Sequence, residues 1–436
     1  MDLLKMHPFQ IIIIAVFGVL GFIGLFLFAT YKPDGPGSGA VGTVIVWGTL
    51  PDAEFSTALQ NFTRTNKNYA GVKYVEKSEE TFATDLAEAV ASGKGPDLII
   101  ISEERLLSQT NKIALQSFKT FSERDYTDTY VPLFDLFLTD TGAYARPLLV
   151  DPLVLYYNKG QVASAGVATP PQTWEAITAL AGSMTRTLPD QTITRSTIAL
   201  GEYDNIGNAR AILSLLLLQS GSKVTEMTKN GVRASLSGGA TGETFGITPA
   251  ESAVSFYTQF ANPGKTVYSW NRSLPQARDS FLAGDSTFYV GFASERPLLK
   301  EGNPNLSFDM ARIPQPQTAD GRIAYAHGYA IAKLASSRAK GNDKVIEALS
   351  GKEFSASVAE YLSMAPARKD SLTPPEGDLF APVFYSESLV ARAWLSPSPE
   401  ETDVIFSTMI RNITSGSKNV RDALFTAEKS LDASLK

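Results

Sequence analysis

The chain has 436 residues, 44% of them hydrophobic, and carries 39 basic against 45 acidic side chains for a formal charge of −6. That length exceeds what a single hydrophobic core usually supports, so two lobes are expected, and the scattered Lys and Arg leave no electrostatic footprint for nucleic acid. With no cysteine and two histidines, His7 and His327, the composition excludes disulfides, thiol nucleophiles, a lipid-bearing cysteine and multi-histidine zinc chemistry; neither a metal site nor a cofactor is expected.

The first element is an uninterrupted apolar run of 19 residues, Ile11–Ala29, long enough to cross a bilayer as a helix. It exceeds the apolar core of roughly 7 to 15 residues found in cleaved secretory signals, so residues 1–31 read as a retained single-pass anchor. Lys5 keeps the short amino-terminal side in the cytoplasm and places the remainder of the chain on the extracytoplasmic side. Residues 32–42, rich in Pro and Gly, form a flexible linker. Gly37, Gly39 and Gly42 mimic a dinucleotide fingerprint, but a membrane helix precedes them and a strand comes after, the reverse of the order that chemistry needs.

Val44–Trp47 is a short apolar strand, and Pro51 with Asp52 opens a helix whose Phe55, Leu59 and Phe62 share one face. A second strand follows at Lys73–Glu76. Phe82, Leu86, Ala89 and Val90 then mark a helix stopped by Gly93 and Gly95, before the continuous apolar run Leu98–Ile101. The pattern is β-α-β-α-β with buried parallel strands, an α/β arrangement whose ligands gather beyond the carboxyl ends at Trp47–Asp52 and Ser102–Arg105. Leu153–Tyr157 is the next strand. Asn158, Gly160 and the Pro170-Pro171 pair punctuate the chain, and Thr173 caps a helix in which Trp174, Ile177 and Leu180 form a core stripe. Two closing helices carry stripes of Phe406, Met409, Ile410 and Ile413, then Leu424, Ala427, Leu431 and Leu435.

The segment Asp151–Ile177, DPLVLYYNKGQVASAGVATPPQTWEAI, resembles the hinge-proximal signature of extracellular solute-binding proteins of the sugar-binding, maltose-binding-protein-like group. There a YNK run precedes a proline-flanked TW helix start. Val46-Trp47, the Gly95-Pro96-Asp97 turn, Ser280–Glu295, His327–Lys333, the helix at Lys340–Leu349, Ala365–Ser371 and the closing helices resemble the same family in the same order, so the likeness covers roughly Thr43 to the carboxyl terminus. The chain departs from the pattern by lacking a lipid-attachment cysteine. It also has Ala293 and His327 where sugar binders often carry tryptophan.

The resemblance implies a two-lobed periplasmic-binding-protein-like fold with a hinged cleft. The first lobe would comprise 43–148 with 317–363 and the second 149–316 with 364–436, crossing at Pro147–Pro152, Arg312–Pro316 and Met364–Pro366. It implies capture of a small ligand, a carbohydrate, by lobe closure, with delivery to the permease subunits of an ABC importer and no catalysis. Asp151, Glu104 and Arg105 fall where relatives face the ligand. Sugar recognition needs aromatic platforms and paired polar groups, for which Trp47, Trp270, Phe292 and Tyr329, and Tyr203, Asn205, Glu295 and His327, are the candidates. Glu103, Glu104 and Arg105 could instead form a solvated ion group, and Trp394 is uncommitted. Competing readings are an anchored sensory or adhesive module, and an exported glycoside-acting enzyme built on paired carboxylates; the chain has neither a G-x-S-x-G nor an H-E-x-x-H motif.

Overall fold

The computed structural model describes residues 40–229, 231–237 and 246–436. The expected spanning helix at Ile11–Ala29 lies outside the described residues, among which no helix is long and apolar enough to cross a membrane. The principal elements, in chain order, are β1 (Val44–Gly48), α1 (Asp52–Thr65), β2 (Val72–Glu76), α2 (Phe82–Ala91), β3 (Leu98–Ile101), α3 (Glu103–Gln109), β4 (Arg146–Asn158), α4 (Trp174–Met184), β5 (Ile193–Ile198) and α5 (Ala209–Gln219). After these come β6 (Ser286–Phe292), β7 (Phe308–Ala311), β8 (Ala324–Lys333), α6 (Asn342–Leu349), α7 (Lys352–Leu362), α8 (Ala381–Leu389), α9 (Pro399–Thr414) and α10 (Val420–Ser434).

One mixed sheet runs β2–β1–β3–β8–β4–β6–β5 through both lobes. β1 is parallel to β2 and β3, as the buried apolar runs predict, while β8 is antiparallel to β3 and to β4. α1 and α7 cover one face of the first lobe, burying Phe55, Leu59, Phe62, Phe354 and Val358. A separate cluster around Phe82, Phe134 and Phe137 covers the other face. The second lobe gathers α4, α5, α8, α9 and α10 around Leu153–Tyr156. Thr173 caps α4 by accepting from the Ala176 amide, and Trp174 is core, its Nε1 donating to Gln219 Oε1 at 2.7 Å.

β4 is longer than the Leu153–Tyr157 strand read from sequence and contains Pro147 and Pro152 within it. Proline cannot donate to a ladder, and Pro152 falls where β4 exchanges one partner for another: Arg146–Pro152 pair with β8, and Leu153–Tyr157 with β6. Leu148 and Leu149 accordingly lie in the first-lobe core and Leu153–Tyr156 in the second. The return crossing lies within β8 rather than at Arg312–Pro316, because Ala324 and Tyr325 pack with the second lobe and Ala330 and Ala332 with the first. Ile313 sits in the second-lobe core and Gln315 Oε1 accepts from the Ile323 amide, which holds that stretch to the second lobe.

Candidate ligand cleft

At the carboxyl end of β3 the chain turns directly into α3, whose first turn carries Glu103, Glu104 and Arg105. Two acidic groups there suit the positive end of a helix. All three are buried, at 0%, 4% and 4% exposure, so the solvated ion group weighed as an alternative is not what forms. They are neutralised instead by groups from the second lobe, from β8 and, for Arg105, also by Glu79 of the first lobe.

α5 is apolar from Ala211 to Leu218 apart from Ser214 and has one charge, Arg210, in its first turn. Arg210 forks onto Glu104, Nε to Oε1 at 3.0 Å and Nη2 to Oε2 at 2.9 Å, a bidentate pair of the strong kind. Its Nη1 reaches Asp403 Oδ2 and the Pro399 carbonyl on α9. Tyr203 donates to the other Asp403 oxygen at 2.5 Å and Tyr325 to Glu104 Oε1 at 2.9 Å. Beside this, Arg105 donates to the Glu79 carbonyl and carboxylate at 2.8 and 3.0 Å, and pairs across the cleft with Glu400 at 3.0 Å. Glu104–Arg210, largely buried, and Arg105–Glu400, in which Glu400 is half exposed, thus tie the lobes together.

His327 stands at the centre. Its Nδ1 lies 3.2 Å from Glu103 Oε1, and the Gly328 amide donates to Glu103 Oε2 at 2.7 Å. The imidazole stacks on Phe292 with centroids 4.5 Å apart and meets the edge of Tyr329 at 6.4 Å. Burial pushes its pKa down, but Glu104 and Glu103 outweigh that and hold it at about 9. Burial also acts on both glutamates. It keeps Glu103 above the usual carboxylate range, whereas His327 and Arg210 overcome it at Glu104 and hold that group below. Glu103, Glu104 and His327 offer ligand atoms within 4.8 Å of one another. With Glu104 chelated by a guanidinium and His327 protonated, however, the set is already neutralised and does not suit a divalent cation.

Asp151 faces His327 in the β4–β8 register. It accepts from the Ser294 amide at 3.0 Å and hydroxyl at 2.5 Å, and burial pushes its carboxyl up to about 7 against those bonds. Trp47, at the end of β1, is half-buried with Lys77 Nζ 4.0 Å over its ring.

A family model described as bacterial extracellular solute-binding protein matches residues 57–379. The chain belongs to that family. As a solute-binding protein it is a receptor and not an enzyme. Among solved structures it is similar to a cyclic α-maltosyl-1,6-maltose binding protein from Arthrobacter globiformis, 18% identical with a TM-score of 0.73 over 90% of this chain and 99% of that one. It is also similar to a cyclo/maltodextrin-binding protein complexed with maltotetraose, at 15% identity and a TM-score of 0.71 over 93% and 99%. A solute-binding protein from Thermotoga lettingae bound with α-D-tagatose shares 18% identity and a TM-score of 0.66 over 91% and 100%. No curated protein sequence matches the chain.

Of the residues expected at the site, this solute-binding protein brings Glu104, Arg105, Tyr203, Phe292, His327 and Tyr329 together and sets Asp151 beside them, while Trp47 stays at the end of β1 against Lys77. Three others belong to the interior of the second lobe. Trp270, expected as a stacking platform, is 0% exposed and donates through Nε1 to Asn205 Oδ1 at 3.1 Å. Asn205 in turn donates to the Asn271 and Leu274 carbonyls. Glu295 accepts from Tyr289, Asn208 and the Phe292 amide, all within its own lobe. The polar neighbours of Trp270 are consumed by such internal bonds, which is why they misled. Trp394 is also core, bonded to Ser214. Arg210, Asp403, Tyr325, Glu79 and Glu400 were not anticipated. Only Arg210 had a local signal, a solitary charge in an apolar helix.

Proposed function

We propose that this solute-binding protein captures a carbohydrate between its lobes on the extracytoplasmic side, tethered by an Ile11–Ala29 membrane helix and the 32–42 linker, and delivers it to the permease of an ABC importer. The observation that carries the reading is the convergence, from both lobes onto the β4–β8 crossing, of planar paired groups (Glu104, Arg210, Arg105, Asp403) with aromatic faces at Phe292 and Tyr329. Sugar hydroxyls pair with just such carboxylates and guanidinium groups, and sugar C–H faces stack on aromatic rings. Two of the solved structures named above, holding maltotetraose and α-D-tagatose, support a carbohydrate over other solutes. Opening of the lobes about Asp151-Pro152 and the middle of β8 would expose these groups, and closure would exchange Glu104–Arg210 for contacts with the ligand.

The test is thermal unfolding of the full-length chain against neutral sugars, amino acids and polyols. A carbohydrate at 100 times its dissociation constant raises stability by about 2.7 kcal/mol. Stabilisation by another class alone would refute the substrate, and fractionation of the full-length chain with the soluble contents of the cell would refute the anchor.

A further inference from the structure

A second groove, of about 570 Å3, opens on the first lobe and is lined by Gln116, Phe121, Tyr130, Arg146, Glu347 and Arg368 among others. It lies at the pole away from the cleft. β4 runs from Arg146 to the Asp151 crossing, five residues or roughly 17 Å at ~3.3 Å per residue, and Lys333, which also lines the groove, ends β8 opposite the start of β3.

Arg146 is fixed there. Its guanidinium lies 3.8 Å over the Phe121 ring, and Nε donates to Gln116 Oε1 at 3.1 Å. That bond turns the amide so that Gln116 Nε2 is buried without a partner. Among the described residues no carboxylate pairs with Arg146. The other two cations of the groove differ, for Arg368 is forked onto Asp370 and Lys333 onto Asp343. The groove therefore presents one immobilised guanidinium with both terminal nitrogens uncommitted, and a planar fork of that kind matches the two oxygens of a carboxylate or a phosphate. The volume lies within the range of small-molecule sites, and the two exposed carboxylates of the lining, Glu347 and the Lys333-paired Asp343, disfavour molecules bearing several negative charges.

We propose that this groove is a second binding site, for a ring-sized solute carrying a single carboxylate or phosphate group, bound to Arg146 through its oxyanion. Phe121 and Gln116 position the guanidinium, and Tyr130 and Arg368 close the far wall.

The experiment is calorimetric titration of the full-length chain with glucuronate, glucose 6-phosphate, inorganic phosphate and citrate, in a Glu104→Leu with Arg210→Met background, which removes the cleft pair without leaving a buried carboxylate unpaired, so that the cleft does not contribute. Glucuronate or glucose 6-phosphate should bind one to one, more weakly as salt rises, and citrate less well. Preference between the two names the oxyanion, and binding of phosphate with equal strength would show that the ring adds nothing, which overturns the solute but leaves the anion site. Arg146→Met, which keeps the stem on Phe121, should weaken binding at least tenfold at an unchanged melting temperature, and Arg146→Lys by less. Unchanged affinity in Arg146→Met, or no binding by any of the four probes, overturns the proposal. Should Arg146→Met lower the melting temperature, protection of Arg146 in the otherwise native chain from an arginine-selective dicarbonyl reagent by glucuronate or glucose 6-phosphate decides instead, and absence of protection refutes the site. Ligand capture in the cleft should persist in Arg146→Met, so the two sites fail separately.

Discussion

Arg210, in the first turn of the second-lobe helix α5, chelates both carboxylate oxygens of Glu104 on the opposite lobe, at 3.0 and 2.9 Å. The pair is largely removed from water, with side-chain exposures of 19% and 5%. A buried carboxylate stripped of its partner is left uncompensated, a loss of about 3 to 5 kcal/mol. Arg210→Ala should accordingly lower the melting temperature and, by removing a lobe-to-lobe tie, increase the radius of gyration measured by small-angle X-ray scattering. Replacing both partners, Glu104→Leu with Arg210→Met, should recover much of that stability. An Arg210→Ala protein with native stability and native dimensions would rule out the tie.

Acidity acts on the same cluster through His327. Its folded pKa of about 9 lies above its ordinary 6.5, so its contribution is fully present below pH 6.5 and is lost as pH rises through 9, by about 3 kcal/mol at most. Asp151 shifts from 3.8 to about 7. The folded state there holds a proton the unfolded chain has released, so that contribution disappears between pH 4 and 7 and the higher window belongs to His327. Melting temperatures from pH 7 to 9 should fall for the native protein and stay nearly level for His327→Gln. Parallel curves would mean the imidazole is neutral in the fold.

Trp270 makes the contrasting case of a residue whose neighbours suggested a surface. Fully buried against the second-lobe core, it should destabilise by about 3 to 5 kcal/mol on truncation to alanine, measured by chemical denaturation. Ligand affinity of the fraction that remains folded should be near native. A stable Trp270→Ala variant that no longer binds ligand would return the residue to the site.

Gly328 is held to glycine by its surroundings. A Cβ there would stand 2.1 Å from Leu133 Cδ2 and 3.0 Å from Phe134 Cε1, and both side chains are too buried to yield. Gly328→Ala should destabilise by about 1 to 3 kcal/mol and displace the amide that anchors Glu103, lowering the histidine pKa seen by NMR titration. A variant with native stability and an unmoved His327 resonance would refute both effects.

The sequence carried the fold well where periodicity was strong. Val44–Trp47, the Phe55–Leu59–Phe62 face, Leu98–Ile101, the Thr173 cap and the closing stripes all appear as read, because each burial pattern is local. The site was legible only in part. Glu104 and Arg105 could be expected beyond the end of β3 because the apolar run Leu98–Ile101 marks that strand, but the partners that neutralise them cannot be read from the chain. Asp403 and Glu400 sit on an ordinary amphipathic helix, and nothing near them in the chain shows which face meets Arg210 or Arg105. Trp270 erred for the converse reason, since polar neighbours do not reveal whether their bonds go to water or to backbone carbonyls.

The placement of β8 also sets an order on biogenesis. Glu103 and the Gly328 amide that satisfies it are 225 residues apart, and α7, which covers Phe55 and Phe62, comes later still. At about 5 to 20 residues per second of synthesis, the open edge of β3 waits roughly 10 to 45 s for its neighbour. During that interval four consecutive aliphatic residues, Leu98–Ile101, present an unpaired strand edge of the kind that recruits other chains. Truncations ending before residue 333 leave that edge open for good and should aggregate rather than fold as a half-sized receptor.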